Sequence, residues 1–255
     1  MIEKLRQNRF LFSELVKRDF KQKYKRTTLG MAWSILNPLL TLLIMRLVFT
    51  QFFGRSTPHY TTYLFCGTLL WNFFTESTRG GMNSLTSNAS IFTKINVPKY
   101  LFLFSKNVSA LINFGLTLVV FFLFCIIDRI TFTPYMLLML YPIVCVVVFN
   151  VGMGLILSAC YVFFRDTEYL YSVLLTLLQY LSAIFYTVDQ FSEQVQQLFY
   201  LNPMYVYITF LRTVVIHAQL PSVKCFVLAA LYAAAAFGGG CLIYKKFNHQ
   251  FLYYV

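Results

Sequence analysis

The chain has 255 residues, of which 58% are hydrophobic and only 12% charged, and its net charge is +12. A soluble domain is about 25% charged, so this composition excludes a water-soluble globular protein: too few polar residues exist to cover a core. Nor does the positive charge describe a nucleic-acid surface. The basic residues crowd into the first 30 positions (Lys4, Arg6, Arg9, Lys17, Arg18, Lys21, Lys23, Lys25, Arg26), directly before the first long apolar run, where the positive-inside rule puts them on the cytoplasmic side of a membrane.

In chain order, residues 10–26 predict an amphipathic helix on the membrane surface. Phe12, Leu15, Val16, Phe20 and Tyr24 share one face, as helical periodicity requires, and Lys17, Arg18, Lys21 and Lys25 share the other. Asp19, Lys23 and Arg26 form a polar stripe inside the apolar arc. An aspartate gains nothing from lipid, so this face is expected to touch protein. A first span is predicted over 31–53, with Asn37-Pro38 bending or interrupting it, and a second over 60–78. A polar stretch follows, in which Ser87 or Asn88 caps a short helix that Pro98 ends. The third span, 100–127, is joined by a tight turn to the fourth, 135–164. The charged segment Arg165, Asp166, Thr167, Glu168 leads into a fifth, 169–187.

Residues 188–222 are too interrupted to cross, and predict re-entrant or interfacial helices buried against protein. The sixth span, 223–244, carries Ala233 to Ala236 and Gly238 to Gly240, small residues that let helices approach closely. The expected fold is therefore all-α and integral to the membrane: residues 1–30 form a cytoplasmic interface helix and 31–255 a six-span domain. With the N-terminus inside, Arg79, Lys94, Lys99, Lys106, Arg165, Lys245 and Lys246 are cytoplasmic, against Arg55, Arg129, Arg212 and Lys224 outside. That asymmetry supports both termini being cytoplasmic. No short apolar region follows Met1, so no cleavable signal is read. No internal repeat is visible, which weighs against inverted-repeat carriers.

The residues offer no catalytic constellation. His59, His217 and His249 are isolated from one another, the six cysteines form no C-x-x-C pair and read as packing residues, and no nucleophile elbow or metal spacing occurs. A membrane enzyme acting on a lipid-linked sugar would need clustered acids or histidines. Glu76 is the lone acid near a span that could couple an ion; the alternative is simple interfacial placement. Arg46 either snorkels outward or lines a path to an anionic group. No glycine is followed by lysine, so a Walker A loop is absent and any ATP must be bound by a partner. Phe49, Phe52, Phe185, Tyr186, Phe199, Tyr200, Tyr205 and Tyr207 are expected to gather near the outer mouth. They would offer ring faces to sugar C–H groups or form a lipid-facing belt.

Five segments, KRDFKQKYKRTTLGMAWSILNPLL (17–40), YLFCGTLLWNFFTES (63–77), SNASIFTKINVPK (87–99), FFRDTEYL (163–170) and LNP (201–203), resemble in order and spacing the membrane subunit of ABC type-2 exporters. The branch is the one that moves O-antigen, teichoic acid and related surface polysaccharides, and the resemblance covers nearly the whole chain. It implies export of an undecaprenyl-linked polysaccharide across the bacterial plasma membrane by a homodimer bound to two ATPase subunits, which hold ATP and magnesium. A drug, peptide or lipid is the alternative cargo of the same architecture. By the resemblance, Asp19, Lys23 and Arg26 face the ATPase, and residues 85–98, with Ser87, Asn88, Ile91, Phe92 and Lys94, are similar to its coupling helix. Arg165, Asp166 and Glu168 match a second cytoplasmic contact, and 188–222 an outer gate. Many relatives place prolines near the end of the fifth span, where this chain has Ala183 and Thr187.

Overall fold

The computed structural model describes residues 8–25, 27–49, 59–95, 97–248 and 250–254. Among them every regular element is helical: α1 (Arg9–Tyr24), α2 (Trp33–Phe49), α3 (Tyr60–Met82), α4 (Ala89–Phe92), α5 (Tyr100–Ile127), α6 (Leu140–Phe163), α7 (Thr167–Leu181), α8 (Glu193–Phe199), α9 (Pro203–Val215), α10 (Val223–Phe247) and α11 (Phe251–Tyr254). Short 3-10 turns precede α2, α4 and α6, at Gly30–Ala32, Thr86–Asn88 and Pro134–Met139.

The bundle is built around α3. All but one of its residues from Tyr60 to Phe74 are buried, and α2, α5, α6 and α9 pack around it. This position explains its composition. A helix surrounded by protein tolerates hydroxyls that find partners: Thr68 Oγ1 donates to the Leu64 carbonyl at 3.0 Å and Thr78 Oγ1 to that of Phe74 at 2.7 Å. Tyr171 of α7 donates to Thr78 at 2.6 Å, and Ser77 donates to Asn107 of α5.

Four helical stretches among the described residues are long and apolar enough to cross a membrane: Gly30–Val48, Tyr100–Ile127, Pro134–Phe163 and Val223–Phe247. Their outer faces expose Val119, Leu123, Ile126 and Ile127 on α5 and Val227, Leu231 and Leu242 on α10. Apolar surface on that scale suits a bilayer and not water. Helix α3 has the length but a more polar composition. Helix α7, placed where the fifth span was expected, has only 15 residues, about 22 Å at 1.5 Å per residue. It stops at Ser182 because Ala183 turns left-handed, with φ 48°.

Two further expectations are refined. Helix α2 passes through Pro38 without interruption, so the proline removes only the bond its N–H would give to Ser34. The small-residue run of α10 is used on one face. Gly240 meets the Gly152 carbonyl of α6, while Gly238 and Gly239 face open space.

The Leu201-Asn202-Pro203 motif starts α9. Asn202 Oδ1 accepts from the Met204 N–H at 3.0 Å with Pro203 in the first turn, the arrangement that satisfies an orphan helix donor. Asn202 Nδ2 also donates to Ser182 Oγ at 2.9 Å, tying α9 to the end of α7. Asn202→Ala is expected to destabilise the chain by about 1–2 kcal/mol, read as a lower Tm in detergent. Asn202→Asp keeps the cap, so its drop should be smaller.

Candidate functional site

At the end of the bundle that carries α1, a polar lock joins three elements. The Asp19 side chain is 1% exposed; it pairs with Arg18 Nη2 at 2.8 Å and Lys106 Nζ at 3.0 Å, and accepts from Ser105 Oγ at 2.8 Å. The same Arg18 nitrogen donates to Asn88 Oδ1 at 2.7 Å, and Asn88 Nδ2 donates to the Ser84 carbonyl at 2.8 Å. Helix α1 is thereby fixed to α5 and to the segment leading into α4. Of the polar stripe, Asp19 is held by this chain itself, and Asn88 and Phe92 are likewise buried within it. Asn88 stands at the start of α4, yet its side chain serves Arg18 and Ser84 instead of capping the helix.

Lys23 reaches across to Glu76 on α3 at 2.8 Å, and Asn113 Nδ2 donates to the same carboxylate oxygen at 2.8 Å. The lone acid of the sequence reading is thus matched by a cation of its own chain. Arg26 and Phe52 lie outside the described residues, as does the side chain of Phe49.

The other side of this end is the C-terminal segment. Lys99 Nζ donates to the Asn248 carbonyl at 2.6 Å and stands 5.8 Å from the Phe92 ring and 5.6 Å from Phe251. Burial pushes the Lys99 ammonium below its ordinary range, and the carbonyl and ring faces oppose that shift. The sequence marks Lys99 only as a topological charge. Held between α1 and the C-terminus, the α4 region turns Ser87, Ser90, Thr93, Lys94 and Ile95 outward, with Ile91 half-buried. Arg165 and Asp166 are exposed in the α6–α7 turn, and Glu168 in the first turn of α7. Arg165 stacks 5.1 Å from the Tyr161 ring, whose hydroxyl donates to Glu168 at 3.1 Å.

At the opposite end stands Arg212, which the charge count groups with the outer cations; it belongs to α9 and is buried. Its guanidinium donates to the Ala183 and Ile184 carbonyls, both at 2.9 Å, and to that of Tyr63 at 3.2 and 3.3 Å. It also lies 3.4 Å from the Tyr63 ring centroid. Carbonyls left free where α7 ends are satisfied by this fork. Arg212 and Asn202 therefore fix the break after α7. Gly67 leaves the room, since a Cβ there would sit 3.0 Å from Arg212 Nη2.

The aromatic residues named from sequence divide. Phe199 packs on Tyr186 and Tyr205 at 6.4 and 5.3 Å, and Tyr200 meets Tyr205 edge-on at 5.4 Å. Tyr207 stands apart, fully buried, against Phe149 at 5.8 Å and donating to the Ala229 carbonyl at 3.1 Å. Phe185, Tyr205 and Tyr207 are buried, so they shape the interior instead of lining an open path. Arg46 is exposed on α2.

A cavity of about 800 Å³ lies between α2, α3, α5 and α7. Trp33, Asn37, Trp71, Asn72, Glu76 and Gln179 are among its walls. The sequence reading missed it, because its lining is drawn from five helices, Lys23 of α1 included, that are brought together only by the fold.

Residues 11–216 match the ABC-2 type transporter family model. The chain is 26% identical over 255 residues, 98% of its own length and 97% of the relative's, to the O-antigen export system permease protein RfbA of Myxococcus xanthus. It is 30% identical over 200 residues, 76% of this chain and 77% of the relative, to the protein of that name from Klebsiella pneumoniae. It is 22% identical over 206 residues, 80% and 78%, to the capsule polysaccharide export inner-membrane protein CtrC of Neisseria meningitidis. With a family match spanning most of its length and apolar helices to place it in a bilayer, the chain belongs to the ABC-2 type transporters and is a multi-pass membrane protein.

Proposed function

We propose that the chain is the transmembrane subunit of an ATP-driven exporter that carries a lipid-linked cell-surface polysaccharide across the bacterial plasma membrane. It works as a homodimer with two separate ATPase subunits. Six spans arise if α3 and α7 cross along with the four longer helices, and the α8–α9 pair re-enters as an outer gate. Both termini are then cytoplasmic. The observation that carries this reading is the lock of Arg18 and Asp19 onto Asn88 and Lys106. It makes α1 and the α4 segment one stiff block whose outward face, Ser87 to Ile95, is free to receive a partner's push. Arg165, Asp166 and Glu168 add a second contact at the same end. The polysaccharide cargo rests on the relatives, named for O-antigen and capsule export. Exposed apolar faces on α2 (Leu43, Ile44, Leu47) and α7 (Leu170, Val173, Leu177) flank the cavity and suit a second copy.

The test is reconstitution of the chain in vesicles with its partner ATPase. ATP-dependent appearance of an undecaprenyl-linked polymer on the far side is the expected result. ATP-independent leakage of small ions, or ATP-driven movement of a drug or peptide and not the polymer, would overturn it.

A further inference from the structure

We propose that the C-terminal segment is a clasp joining the two surfaces that face the ATPase, with Lys99 and Phe251 as its positioning residues, an inference that rests on the transport reading above. The first observation is an unbroken line of contacts. Phe92 of α4 stands 5.8 Å from Lys99 Nζ, and the same ammonium stands 5.6 Å from the Phe251 ring. Phe251 in turn lies 6.0 Å from Phe163, the last residue of α6, which also meets Tyr254 at 5.0 Å and Phe247 at 5.4 Å. Arg165 follows Phe163 by two positions. The α4 segment and the α6–α7 turn are distant in the chain, yet one ring connects them.

The second observation is how fully that ring is enclosed. Phe251 is 0% exposed and packs on Tyr244 of α10 at 5.1 Å. Helix α11, however, has only four residues, and a single turn does not hold its shape in isolation. Its position comes from what the ring is packed against, so α11 is anchored by the clasp and not by its own hydrogen bonds.

The third observation is the chemistry of Lys99. It is buried, and among the described residues no carboxylate pairs with it. Its ammonium donates to the Asn248 carbonyl at 2.6 Å and otherwise faces two rings. Those contacts must offset the hydration the cation has lost, and release returns that hydration. On the α1 side, Asp19 is closed by two cations and a hydroxyl. The α4 segment is thus fixed on one side by an ionic joint and held on the other by a joint that can open and reclose. Tyr244, beside Phe251, agrees with this: its buried hydroxyl has no partner among the described residues. A push on α4 draws on Phe251 and so on the end of α6. With the clasp closed the two surfaces move together; with it open, each moves alone.

Hydrogen exchange on the full chain in nanodiscs reads the clasp without the ATPase. Lys99→Met keeps the apolar stem and removes the ammonium. It should speed amide exchange about fivefold in residues 247–254 and also in 163–170. Phe251→Leu should do the same, and it carries the comparison should Lys99→Met fail to fold. Lys99→Arg keeps a donor for the Asn248 carbonyl and a cation for both rings, so its exchange should stay within about twofold of wild type. Faster exchange confined to 247–254, no change in either variant, or a Lys99→Arg chain that behaves like Lys99→Met would overturn the clasp. In the complex reconstituted with its partner ATPase, Lys99→Met and Phe251→Leu should each lower polymer exported per ATP hydrolysed about fivefold. The double variant should be no lower than either single one, because both act at one joint. A wild type that exports, with both variants exporting as much per ATP, removes the clasp and leaves the exporter. A wild type that exports no polymer removes the transport reading, and the exchange comparison still decides whether the two segments are joined.

Discussion

Alanine at Gly152 is expected to keep the chain from its folded state, whereas alanine at Gly238 or Gly239 is expected to leave it intact. Among the described residues, helices α6 and α10 form the most extensive helix pair, and they meet backbone to backbone. A Cβ on Gly152 would overlap the Ala236 carbonyl and the Phe237 nitrogen, and one on Gly240 would lie 2.5 Å from the Gly152 carbonyl oxygen. None of these atoms is the end of a side chain that could turn aside, so the two helices must separate along their length. In a bilayer that separation is serious, because lipid tails are as apolar as leucine and close packing is what holds helices together. Overpacking in cores costs about 1–3 kcal/mol and sometimes more. With backbone on both sides, Gly152→Ala should fall at or above the upper end. At Gly238 and Gly239 a Cβ meets nothing within 4 Å, and alanine's helix propensity is favourable by about 1 kcal/mol. Size-exclusion profiles and Tm in detergent measure the contrast. A Gly152→Ala protein that elutes and melts like the wild type would show that the helices are not in this contact.

The same pair of helices shows what the sequence carries and what it omits. Hydropathy located Tyr100–Ile127 to the residue and Val223 as the start of α10, because an apolar stretch facing lipid has no other explanation. The glycines of α10 announced close packing, but not that Gly240 is the one used and Gly238 spare, since that depends on where α6 passes. The interruptions of residues 188–222 correspond to two short helices of 7 and 13 residues, and Asn202-Pro203 as a helix start is plain from capping chemistry. Charge counting groups Arg212 with the outer cations but does not show that it is buried, because its partners are carbonyls at the break at Ala183, where alanine leaves no residue signature. Asp19 was legible as a residue out of place on a lipid face, but its partners Ser105 and Lys106 lie 86 and 87 positions away. The cavity was hidden for the same reason: Trp33 and Trp71 are ordinary in their own helices and meaningful only when those helices are side by side.

Asp19→Ala is expected to loosen α1 from the bundle and to separate ATP hydrolysis from export. The carboxylate is the single acceptor on which Arg18, Ser105 and Lys106 converge. Removing one member of a buried ion pair costs about 3–5 kcal/mol, because the remaining charge keeps its desolvation and loses its partner. Lys106 retains 23% side-chain exposure, which places the loss near the lower end, about 3 kcal/mol. Asp19→Asn should be milder, since it still accepts from Ser105. Adding Lys106→Ala to Asp19→Ala should restore part of the lost Tm by removing the stranded cation, the non-additivity that contacting residues produce. The functional consequence follows from Arg18. Without Asp19 its guanidinium is no longer oriented toward Asn88, so α1 and the α4 segment cease to move as one. In the reconstituted complex, polymer export should fall at least tenfold while ATP turnover continues. If Asp19→Ala exports at the wild-type rate, the lock is structural alone; if the double variant melts no higher than the single one, Lys106 is not the stranded charge. The first outcome would move the transmission path away from α1 and onto the Lys99–Phe251 side, which holds the same segment from behind.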